Sequence, residues 1–136
     1  MITAVDSNVL LDVVGADLTF GPPSANALRT TLREGQLLAC DVVWAEVAGS
    51  FASAAAARDA LKLLNLEFSP LTFEAALEAG IAWKAYRQRG GARTRVAAGF
   101  LIGAHALFQP DRLLTRDRGF YRAYFKRLRI IDPTAP

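Results

Sequence analysis

The chain has 136 residues and a formal net charge of +3, and it is 52% hydrophobic and 21% charged. This is the make-up of one globular domain, 1–136, able to bury roughly two-thirds of its unfolded surface, and it excludes wholesale disorder. The single cysteine, Cys40, excludes an internal disulfide, argues against a cysteine-based zinc site and suits a reducing cytoplasm. The charge is carried by 13 Arg against 3 Lys. Arginine is the cation that grips phosphate bidentately and stacks on bases, although a GC-rich coding sequence also favours it. At the N-terminus, Met1-Ile2-Thr3-Ala4-Val5 meets Asp6 at once, unlike a targeting signal. The longest apolar helical stretch, 96–108, is too short to cross a bilayer, so no membrane partner is expected.

In chain order, Ile2-Thr3-Ala4-Val5 reads as a buried strand, and Ser7-Asn8 as the cap of a helix over 9–14. Pro22-Pro23-Ser24 open a helix that Gly35 closes, and 37–40 is a second strand. Asp41 is placed to cap a helix over 42–51, followed by a helix over 54–65 with Leu61 and Leu64 inward, and a strand over 66–69. Thr72 caps a long helix to about 89, in which Phe73, Ala76, Leu77, Gly80, Ile81 and Lys84 trace the 3.6-residue period. Residues 95–108 are apolar on every side, as in a core helix. A strand over 112–115, a helix over 120–125 and a strand over 128–131 complete the chain. Short strands separated by helices predict an α/β fold with a mostly parallel sheet covered on both faces. Sites in such sheets lie beyond the carboxyl ends of the strands.

Four positions break the local pattern. Asp6 and Asp117 each follow a strand, where either a helix cap or a metal carboxylate fits. Glu46 is the only charged residue over 42–57 and lies beside the apolar stripe Val43, Val47 and Phe51, so it must be exposed, paired or bound to a metal. Gly99 sits inside a helix, where glycine costs about 1 kcal/mol against alanine. Either Gly99 and Gly103 let another element approach closely, or a different residue belongs at position 99. His105 reads as a hydrogen-bonded packing residue.

Val5-Asp6-Ser7-Asn8-Val9-Leu10-Leu11-Asp12, Trp44-Ala45-Glu46-Val47, Phe100-Leu101-Ile102-Gly103-Ala104-His105-Ala106 and Leu114-Thr115-Arg116-Asp117-Arg118-Gly119-Phe120-Tyr121 together resemble the successive motifs of PIN-domain ribonucleases, in particular the VapC-type toxins of type II toxin–antitoxin pairs. The resemblance runs in order over essentially the whole chain. It implies a three-layer α/β/α sandwich and an endoribonuclease whose acids hold Mg²⁺ or Mn²⁺. Clustered acids bind such a cation by sharing negative charge that would otherwise repel itself. By resemblance Asp6, Glu46 and Asp117 are catalytic acids and metal ligands, and Gly99 stands where the family has its third acid. Asn8 and Thr115 are placed to hydrogen-bond the acids. Position 99 is then either a natural divergence or an Asp→Gly change that spares a host a toxic nuclease. The expected consequence is weak metal binding and slow or absent cleavage.

The resemblance also implies a VapB-type antitoxin partner, seated in an apolar groove between helices, and a homodimer. Arginines gather at 87–95 and around Asp117, interleaved with aromatics, and Arg93, Arg95, Arg116, Arg118 and Tyr121 are candidates for RNA contact. The leading alternative is an inactive PIN-fold module that binds RNA or protein. An aspartate-nucleophile phosphotransferase usually carries a second acid two residues on, where this chain has Asn8. A nucleotide-binding module would need a glycine-rich loop after the first strand, which is absent.

Overall fold

Strand β1 (Ile2–Val5) lies at the middle of a five-stranded sheet of order β3-β2-β1-β4-β5, in which every pairing is parallel. The other strands are β2 (Gln36–Cys40), β3 (Leu66–Ser69), β4 (Arg112–Leu114) and β5 (Ile130–Ile131). The architecture is seen in a computed structural model that describes residues 1–92 and 97–135. Thr3, Ala4 and Val5 are all buried although consecutive side chains point to opposite faces, so helices cover both sides of the sheet. From β1 the chain builds outward through β2 and β3, then returns to lay β4 and β5 on the other side. The switch point therefore lies between β1 and β4, where ligands collect in open α/β sheets.

Seven helices are found among the described residues: α1 (Ser7–Val14), α2 (Gly21–Glu34), α3 (Asp41–Ala48), α4 (Ala54–Leu63), α5 (Phe73–Gln88), α6 (Ala98–Phe108) and α7 (Arg118–Tyr124). Most starts follow local chemistry. Ser53 caps α4 and Thr72 caps α5, each hydroxyl accepting a backbone N–H three residues on. Three differ from expectation. Helix α1 begins at Ser7 because Asp6, not Ser7-Asn8, occupies its N-cap. Helix α3 takes Asp41 into its first turn, where a carboxylate favours the helix dipole. Helix α7 begins two residues before 120.

The largest difference concerns α5. Its buried residues are Ala75, Ala79 and Ala82, while Phe73, Leu77 and Ile81 are 73%, 55% and 65% exposed. Small side chains face α6 and let the two helices pack closely, so the larger apolar stripe is left outside. Helix α6 is the apolar core helix expected. A Cβ at Gly103 would stand 2.4 Å from the Phe125 ring, so this glycine admits an aromatic side chain into the core. His105 is buried and shares a 2.9 Å hydrogen bond with Ser69, and burial lowers its pKa. No helix among the described residues is long and apolar enough to cross a membrane.

Candidate functional site

The carboxyl ends of β1 and β4 lead to Asp6 and Asp117, which line one cleft, with Thr115 bonded to Asp6. Glu46 reaches the cleft from the last turns of α3, and Gly99 from the first turn of α6. The cleft has a volume of about 350 Å³ and is also lined by Ser7, Asn8, Leu11, Ile102 and Tyr121.

Asp6 is the centre of the arrangement and only 6% exposed. Its Oδ1 accepts from the Ser7 amide at 2.7 Å. Its Oδ2 accepts from the Thr115 hydroxyl at 2.7 Å, the Tyr121 hydroxyl at 3.0 Å and the Asn8 amide nitrogen at 3.4 Å. Burial raises the Asp6 pKa, these hydrogen bonds oppose the rise, and the charge of Glu46 adds to it. Cap and cleft residue are thus one and the same side chain. Glu46 is exposed and its Oε1 accepts from the Ser7 hydroxyl at 2.6 Å. Asp117 is exposed, and its amide donates to Thr115 Oγ1 at 3.0 Å.

The structure therefore brings together Asp6, Asn8, Glu46, Gly99, Thr115 and Asp117. It places other candidates differently. Tyr121 is 2% exposed, so its ring offers no face for base stacking; its hydroxyl serves Asp6 instead. Arg116 turns away from the cleft and closes a bidentate pair on Asp12, through Nε at 2.7 Å and Nη2 at 2.9 Å. Arg112 is buried and donates to Thr3, so it does not belong to a basic rim. Arg118 is half exposed and 3.4 Å from Asp132. Arg93 and Arg95 lie outside the described residues. The aromatics of α7 pack with Phe100 and Tyr86 rather than facing solvent. Ser7 and Asp12 were not singled out by sequence. Asp12 lies one helical turn after Asn8, a spacing that puts both on one face of α1.

Whether these side chains suit a divalent cation can be tested on their own chemistry. Asp6, Glu46 and Asp117 line one cleft, and the repulsion between Asp6 and Glu46 is of the kind a cation relieves. Yet among the described residues no group of three or more His, Cys, Asp or Glu comes close enough to hold a metal ion. Gly99 on the cleft wall supplies no further carboxylate. Cys40 adds nothing here, because burial pushes its thiol up to about 11.

A PIN domain family model matches residues 3–126. A search by sequence among curated proteins finds no match. Among solved structures, the fold is similar to VapBC2 from Rickettsia felis bound to a DNA fragment from its promoter, with a TM-score of 0.75, 17% identity and coverage of 97% of this chain and 98% of that one. It is similar to VapBC-1 from nontypeable Haemophilus influenzae, with a TM-score of 0.75, 18% identity and coverage of 99% and 100%. It is also similar to FitAcB from Neisseria gonorrhoeae, with a TM-score of 0.69, 17% identity and coverage of 98% of each chain. With the family motifs, the parallel sheet and the acid-lined cleft in place, the chain belongs to the PIN domain family.

Proposed function

We propose that this chain is the toxin of a VapBC-type toxin–antitoxin pair: an endoribonuclease that depends on Mg²⁺ or Mn²⁺ and is impaired because Gly99 stands in place of an acid. The observation that carries the reading is the meeting of Asp6, Glu46, Asp117 and Gly99 in one cleft at the sheet's switch point. Asp6, Glu46 and Asp117 would hold the cation, which supplies Lewis-acid stabilisation of charge at a phosphodiester when bound. Thr115 and Tyr121 orient Asp6, and Ser7 orients Glu46. Arg118, exposed next to Asp117, is the best-placed phosphate contact.

Two surfaces support the partners in this reading. A mostly apolar groove of about 180 Å³, lined by Val13, Ala25, Leu28, Leu32, Leu63 and Leu64 with Arg29 and Asn65 at its polar part, suits the apolar side chains of an antitoxin segment. The outward stripe of α5 suits a second copy of the chain. Gly80 lies on that stripe with nothing within 4 Å of a Cβ placed there, so the monomer's own packing does not call for a glycine. An antiparallel pairing with Leu77 opposite Ile81 brings Glu74 level with Lys84 of the second copy.

The test is calorimetric titration with Mn²⁺ and Mg²⁺, and cleavage of RNA, for the chain as it stands and for Gly99→Asp. Gly99→Asp should bind metal roughly tenfold or more tightly, in line with what a supporting group contributes to a metal site, and should gain metal-dependent cleavage. Flat binding and flat cleavage with an unchanged fold would sink the reading and favour an inactive binding module.

A further inference from the structure

We infer that Asp12 and Arg116 form a positioning clamp that fixes where Thr115 and Asp117 stand relative to Asp6. The inference rests on the nuclease reading for its catalytic meaning, and on geometry for the clamp itself.

Arg116 lies between the two residues that build the cleft's β4 side. On one side of it, Thr115 Oγ1 donates to Asp6 and accepts from the Asp117 amide. The Arg116 amide donates to Asn8 Oδ1 at 3.2 Å. Its guanidinium points the other way and spends its fork on both Asp12 oxygens. Asp12 is 5% exposed and also accepts from the Ser24 hydroxyl at 2.8 Å, which ties α2 into the contact. The Phe20 ring lies under the guanidinium, 3.9 Å from its centre. Segment 115–117 is therefore held to α1 at two points one helical turn apart: by Asn8 through its backbone, and by Asp12 through a side chain.

Asp12 is buried while the Arg116 side chain stays 25% exposed, so the pair loses water mainly on the carboxylate side and adds only modestly to net stability. What it adds is direction. A bidentate fork fixes both the distance and the plane of the guanidinium, which a hydrophobic contact does not. Nε and Nη2 of Arg116 are thus engaged by Asp12 before any substrate arrives.

The test uses native-state hydrogen exchange on the chain as it stands, comparing Asp12→Asn, Arg116→Lys and Arg116→Met. The reporters are the Arg116 and Asp117 amides; the controls are the Asp6 and Leu113 amides, which are bonded within the sheet. The clamp predicts that the two reporters exchange roughly tenfold faster or more while the controls hold their rates, as local opening requires. Arg116→Lys, which keeps the charge without the fork, should fall between wild type and Arg116→Met. Unchanged reporters, or reporters and controls accelerating together, would overturn the clamp. If Arg116→Met does not fold, Asp12→Asn and Arg116→Lys decide.

A second arm measures cleavage in the Gly99→Asp background. There Asp12→Asn should lower kcat by roughly tenfold to a hundredfold, the range found when a group that orients a metal ligand is lost, with KM held within about twofold. Equal kcat would overturn the clamp's role in the site. A Gly99→Asp parent that does not cleave would overturn the nuclease reading instead, and the exchange result then decides the clamp alone.

Discussion

The Thr115 hydroxyl donates to Asp6 Oδ2 at 2.7 Å across the boundary between β4 and β1, closer than the Tyr121 hydroxyl at 3.0 Å or the Asn8 amide nitrogen at 3.4 Å. It is a hydrogen bond to the charged form, so it opposes the burial that drives Asp6 toward neutrality. Thr115→Val keeps the shape and removes the donor. In the Gly99→Asp background it should weaken Mn²⁺ binding by roughly tenfold to a hundredfold. Calorimetry checks this, and unchanged affinity would show that Thr115 does not support a metal ligand.

Two glycines should respond in opposite directions. Gly103→Ala forces the Phe125 ring to move and should cost about 1–3 kcal/mol. Gly80→Ala meets nothing in the monomer and should stabilise α5 by about 0.5–1 kcal/mol. Urea unfolding at low protein concentration measures both.

The outward face of α5 makes a prediction about assembly. Leu77→Glu together with Ile81→Glu, which sets like charges opposite each other in the antiparallel pairing, should leave the unfolding midpoint of the monomer nearly unchanged, since both side chains are exposed. If the stripe joins two copies, sedimentation should show the wild type as a dimer and the variant as a monomer. A variant that still sediments as a dimer would place the interface elsewhere.

His105 sets a pH dependence. Burial lowers its folded pKa below the ordinary value of 6.5. The folded state therefore binds fewer protons than the unfolded state between the lowered value and 6.5, and stability rises with pH across that window. The stabilisation is complete above 6.5 and is lost as pH falls toward the folded value, at a slope of at most about 1.4 kcal/mol per pH unit. Below pH 6.5 the wild-type urea midpoint should fall as pH is lowered while that of His105→Gln falls less, so the two curves are not parallel in this window. Parallel curves would mean that another group governs the window.

Arg118 and Arg116 should separate in RNA binding. Arg118→Gln should weaken binding and reduce the salt slope by about 1. Arg116→Gln should leave the slope unchanged, because the Arg116 fork already faces Asp12. Filter binding across a salt series reads both, and a slope change at Arg116 alone would reverse the assignment.

Much of this protein is written locally in its sequence. The alternation of short apolar strands with helices, the hydroxyl caps Ser53 and Thr72, and the acids that follow β1 and β4 all depend on residues a few positions apart, so they can be read without a fold. The family motifs carry the same information across the chain, and the grouping of Asp6, Glu46, Asp117 and position 99 follows from them together with the parallel sheet. Other features depend on what packs opposite. The 3.6-residue stripe of α5 marks an amphipathic helix but cannot say which face is buried; the small residues Ala75, Ala79 and Ala82 won the inner face because α6 lies close against it. Arg116 and Tyr121 look like substrate contacts in sequence, yet Asp12, 104 positions away, claims the one, and Asp6, 115 positions away, claims the other. Sequence alone determined the elements and the acids. Only tertiary structure decided where each charged or aromatic side chain found its partner, because a buried polar group takes the nearest complementary group in space, however far it stands along the chain.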